Sequence, residues 1–76
     1  MTSGMLWFDD DPKTSLDYKI QKAAEYYQRK YGLRAEVCLV HPSMLAGRES
    51  QVSPLAVRAN RIILPGHLWI GAEDMH

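Results

Sequence analysis

The sequence predicts an α+β fold: one long amphipathic helix on one face of a small mixed sheet of three to four strands. Three observations carry this. Residues 14–31 repeat apolar side chains at the helical period. Residues 34–41, RAEVCLVH, form a short run rich in apolar residues, closed by Pro42. The C-terminal third holds two further short apolar stretches around a Pro-Gly turn signal. In chain order this reads β-α-β-(short helix or loop)-β-β, a single small domain over residues 1–76.

The first element is GMLWF, residues 4–8. It is too short and too apolar for a surface helix and suits a strand. The run Asp9-Asp10-Asp11-Pro12 follows. Asp9 and Asp11 have the first spacing of the phosphotransferase pattern D-x-D-x-T. Lys13 and Thr14 then break the register, and the chain is too short for the domain that bears that pattern. A calcium loop needs ligands at alternating positions, a Gly and a closing Glu, and these do not follow in register. The expected role of the triplet is structural. Either Asp11-Pro12 supplies N-cap and first helical residue, or Thr14 caps with Asp17 reaching back. Asp9 and Asp10 then sit near the positive end of the helix dipole.

In the helix, Leu16, Ile20, Ala23, Ala24, Tyr27 and Tyr31 fall in one sector of roughly 100°. Gly32 is placed to end it in the left-handed conformation, with Leu33 as apolar partner, and Arg29 and Lys30 favour the negative end of the dipole. Outside the apolar sector, Lys19, Lys22, Tyr26, Arg29 and Lys30 form a candidate basic strip. Asp17, Gln21, Glu25 and Gln28 occupy the next sector.

Beyond the helix, Val37, Leu39 and Ala35 share one face of a strand; Cys38 and Val40 share the other with Glu36. Apolar residues on both faces indicate an inner strand. PSMLAG suits one helical turn, since Pro favours its first position. GRESQVSP, residues 47–54, reads as the main loop. LAVRANRIIL and HLWIG read as strands joined through Pro65-Gly66, and a polar tail begins at about residue 72. A strand–helix–strand start implies a crossover to a parallel neighbour.

Composition bounds the function. A chain of this length buries only about 60–65% of its unfolded surface, so association is a natural supplement. Nine basic and nine acidic residues give no net charge, which argues against indiscriminate binding to nucleic acid. Cys38 is the only cysteine, so neither an internal disulfide nor a cysteine zinc site is expected; a buried apolar role is. Cys38 and His41, three apart on a strand, point to opposite faces and make a poor nucleophile–base pair. His41, His67 and His76 show no ligand spacing, so no metal and no cofactor are expected. The N-terminus lacks a basic, apolar leader and no run is long enough to span a membrane, so the expected location is cytoplasmic with no membrane contact.

One helix covers one sheet face. The expectation is that the other face carries Cys38, Val40 and Trp69, with Ile70 adding to the same apolar surface, and that a second copy or a protein partner covers it. GMLWF and HLWIG are the candidate edge strands. The functional expectation is a small, non-catalytic binding or adaptor domain acting through protein contacts, with Trp69 as candidate apolar contact. Two alternatives are a nucleic-acid-binding accessory using the basic flank (Lys19, Lys22, Tyr26, Arg29, Lys30; Arg58 and Arg61 add positive charge elsewhere) and a metal-dependent hydrolase using Asp9, Asp11 and a strand-end His.

Overall fold

The computed structural model describes residues 2–45, 51–52 and 55–73. In chain order the elements are β1 (Thr2–Phe8), α1 (Leu16–Tyr31), β2 (Val37–Val40), a 3-10 turn (Pro42–Met44), β3 (Gln51–Val52), β4 (Leu55–Ala59) and β5 (His67–Glu73). One α-helix packs on a mixed sheet, as the sequence predicts. The sheet has four strands of four residues or more and the two-residue β3, in the order β1-β5-β2-β4-β3.

The crossover differs from expectation. β1 and β2 are both antiparallel to β5, which lies between them; β2 has β4 as its parallel neighbour. β1 and β2 are therefore parallel but not adjacent. The last strand fills the gap because its two faces are both apolar: Leu68 and Ile70 are fully buried, and Trp69 alternates with them. HLWIG is thus an inner strand, not an edge. β1 is an edge, and β3 is the other. β5 continues through Ala72 and Glu73, paired with Ser3 and Thr2, where the sequence suggested a tail. Residues 74–76 lie outside the described residues. Of the expected loop 47–54, only Gln51 and Val52 are described, and they are β3.

The helix starts at neither expected cap. Ser15 is the N-cap, and its hydroxyl accepts from the Tyr18 N–H at 3.2 Å. The reason lies upstream. The Asp11 carboxylate already accepts from the Lys13 N–H (2.9 Å) and the Thr14 hydroxyl (3.1 Å), and the Asp11 carbonyl accepts from the Thr14 N–H. Residues 11–14 are a closed turn, and the helix waits for the next side chain free to cap. At the other end Gly32 takes φ 70°, and its N–H donates to the Gln28 carbonyl. Leu33 stays exposed instead of sealing that cap.

The core lies between α1 and one sheet face. Ile20, Ala23 and Tyr27 from α1 meet Cys38 and Val40 of β2, Leu55 and Val57 of β4, and Leu68 and Ile70 of β5. Met5, Trp7, Leu16, Ala24 and Met44 pack at its margin. Each fully buried aliphatic side chain contributes roughly 1.5–3 kcal/mol, so this single layer dominates the stability of the domain. Tyr31 is exposed, its ring against Tyr27.

Lys19 is the misplaced member of the predicted strip. It is buried, one turn before Ala23 on the core side, and its ammonium reaches Asp9 at 3.9 Å. Its stem packs apolar surface while its head finds the carboxylate at the end of β1.

Candidate functional site: the open sheet face

Alternation along the strands fixes what the second face shows. The strand residues of the core face are Met5, Trp7, Cys38, Val40, Leu55, Val57, Leu68 and Ile70. The intervening residues Gly4, Leu6 and Phe8, Val37 and Leu39, Arg58, and His67 and Trp69 therefore point the other way. This reverses the expectation for three residues. Cys38, Val40 and Ile70 face the helix and are fully buried; of the four named, only Trp69 belongs to the open face. β2 is apolar on both sides, so its alternation alone does not say which side the helix takes.

The open face is apolar and uneven. Leu6 and Phe8 on β1 are each 59% exposed. The Phe8 ring lies 4.8 Å from that of His67. The Trp69 ring lies against Gly4, where a Cβ would come within 2.4 Å of it; glycine makes that approach feasible. Beyond Trp69 the surface sinks into a hollow of about 330 Å³, lined by Val37, Leu39, Trp69, Ile62, Ile63, Asn60 and Arg58. Ile62, 85% exposed, forms its rim. Arg58 is the charged group of the lining.

The hollow exists because LAVRANRIIL is not one strand. β4 stops at Ala59. The Asn60 N–H donates to the Val40 carbonyl, and its side chain accepts from the Ile62 N–H at 2.9 Å, turning the chain past the end of β2. Ile62, Ile63 and Leu64 thus leave the sheet. Gly66, at φ 85°, completes the return to β5.

Among the basic strip, Lys22, Tyr26, Arg29 and Lys30 are exposed. Their charges are partly engaged: Lys22 lies over the Tyr18 ring at 5.7 Å, and Lys30 lies near Tyr26 and Tyr31 at 5.9 and 5.5 Å. Tyr26 packs on Trp7 at 5.2 Å, and Glu25 shares the small hollow of Trp7, Lys22, Tyr26 and Arg29. The Trp7 indole N–H is buried with no hydrogen-bond partner among the described residues.

Asp9, Asp11, His41 and His67 are engaged in local structure. Asp9 accepts from the Asp11 N–H and pairs with Lys19. The Asp11 carboxyl is held below the usual carboxylate range, first by the Lys13 N–H, then by Thr14 and Lys19. His41 Nδ1 accepts from the Ser43 N–H and contacts its hydroxyl, capping the 3-10 turn. Among the described residues no three His, Cys, Asp or Glu side chains lie close enough to hold a metal ion. Burial pushes the Cys38 thiol up to about 12. Among the described residues no helix is long and apolar enough to cross a membrane.

Leu6, Phe8 and Ile62 on this face were not singled out in the sequence, and Arg58 was noted there only for its charge. GMLWF is apolar throughout, so alternation had no polar member to mark a face. For Ile62, the available signal was the pair of turn formers, Asn60 and Pro65, on either side of RIIL.

No family model, curated protein or solved structure matches this chain.

Proposed function

We propose that this chain is a small non-catalytic binding domain that works through protein contacts made by the open sheet face. One observation carries the reading. Leu6, Phe8, Leu39, Trp69 and Ile62 lie on the side of the sheet away from the helix; Leu6, Phe8 and Ile62 are exposed, and Leu39 and Trp69 are half-buried. Apolar groups gathered on one surface mark an interaction site more often than scattered ones do. The relief also suits a protein partner, with exposed aromatic and aliphatic side chains beside a hollow that can receive one.

The test is capture from a lysate of the source organism with three baits. The wild type and Lys22→Glu/Lys30→Glu, changed on the helix, are expected to retain the same partner. Phe8→Asp/Ile62→Asp is expected to lose it while keeping the wild-type circular dichroism. A partner retained by the open-face variant and lost by the helix variant would transfer the function to the basic strip.

A further inference from the structure

We infer that the open face is built to receive a second copy of itself, about a two-fold axis that runs along the strands. This rests on the reading of that face as a protein-contact surface and names its occupant.

The register supplies the geometry. Leu6 pairs with Trp69, Trp69 with Leu39, and Leu39 with Arg58, so these four lie in one row across the sheet. The row is polar in shape. Its β1 end is the more exposed, through Leu6 and, two residues on, Phe8. Its β2–β4 end sinks into the hollow bounded by Val37, Leu39, Ile62 and Ile63. A two-fold along the strand direction reverses left and right but keeps the height of every row. It sets β1 of each copy over β2 and β4 of the other. Leu6 and Phe8 then enter the hollow of the partner twice, as an isologous interface requires. A two-fold across the strands would set β1 on β1 and leave both hollows empty.

Charge follows the same operation. β1 and β4 run in the same direction, so both C-terminal ends lie at one end of the sheet. Asp9, Asp10 and Asp11 follow β1. Arg58 ends β4 and Arg61 follows it. The axis that seats Phe8 in the hollow brings the acidic end of each β1 toward the basic end of the other β4. Asp10, Asp11, Arg58 and Arg61 are all exposed, and no ion pair joins them to a described residue.

The test is sedimentation velocity of two variants, alone and mixed. The wild type is expected to sediment as a dimer at micromolar concentration. Phe8→Asp, which removes the projection, and Ile62→Asp, which spoils the hollow, each dimerise about tenfold or more weakly. Both positions are exposed, so both variants stay folded. Mixed one to one, they regain a dimer: the intact Phe8 of one copy enters the intact hollow of the other. A wild-type monomer overturns the inference but leaves the capture experiment to judge the contact face. A wild-type dimer whose variants fail to rescue each other also overturns it. A dimer indifferent to Ile62→Asp assigns association to the β1 edge and overturns it too.

Discussion

The two faces of this sheet are made of the same kinds of residue and meet opposite surroundings. On one, Met5, Cys38, Val40, Val57, Leu68 and Ile70 are closed in by α1. On the other, Leu6, Phe8, Leu39 and Trp69 alternate with them along the same strands, and among the described residues no helix lies above them. The difference teaches that apolar character does not by itself separate core from contact surface. The number of layers does: a sheet has two faces, and one helix covers one.

The strongest way to break the comparison is to place the same charge on each face. Ile70→Asp buries a carboxylate among Ile20, Cys38 and Leu68, and the expected cost, above about 4 kcal/mol, approaches the whole stability of so small a domain. Phe8→Asp on the open face, measured below the concentration at which the wild type associates, is expected to change stability by less than about 0.5 kcal/mol. Urea denaturation of the two variants reads both numbers. Equal losses would mean that the faces are not distinct.

A second substitution sharpens the account of the open face. Gly4→Ala pushes a methyl group into the Trp69 ring and the Ile70 carbonyl. The expected loss is about 1–3 kcal/mol, with a red shift of Trp69 emission in a Trp7→Phe background. No shift would mean that the ring does not lie against Gly4.

Covered-face chemistry gives a pH signature. The Cys38 thiol is raised by burial to about 12. Its contribution is fully present below the ordinary thiol range and is progressively lost as pH rises from there toward 12. Stability against pH should fall across that window in the wild type and less steeply in Cys38→Ala, from a lower start.

The smallest effects separate the three aspartates. Asp9→Asn leaves the buried Lys19 ammonium without its carboxylate. Since the Asp9 side chain is 31% exposed, solvent screening holds the expected cost to about 1–2 kcal/mol. Asp10→Asn is expected to be within about 0.5 kcal/mol of wild type. Asp11, with its carboxyl held low, stabilises above the ordinary carboxylate range, and this contribution is lost as pH falls through its lowered value. Asp11→Asn should therefore flatten the acid limb of the stability profile.

The helix was legible because its period is long and its two ends are marked. Ile20, Ala23 and Tyr27 face the sheet as their spacing requires, and Gly32 ends the helix. Its start was not legible. Asp11, Thr14 and Ser15 are all competent caps, and only the hydrogen bonds within residues 11–14 decide among them. The four longer strands were legible, though not the two-residue β3 or the end of β4 at Ala59; strand order was not legible, since pairing β5 between β1 and β2 depends on contacts far apart in sequence. The candidate site was half legible. That one face lacks a cover follows from counting elements. Which residues lie on it does not, because β1, β2 and β5 are each apolar on both sides.

The central claim is that the open face is free in the lone chain and covered on association. Methyl NMR with a soluble paramagnet, run as a dilution series, tests it most directly. At the lowest concentration the methyls of Leu6, Leu39 and Ile62 should broaden strongly, while those of Ile20, Val40, Leu68 and Ile70 should not. As concentration rises, Leu6, Leu39 and Ile62 should become protected together, and the exposed Leu33, just past the C-terminal end of α1, should stay broadened. Protection of Leu6 and Ile62 already at the lowest concentration would contradict the account, because the chain would then be covering its own second face.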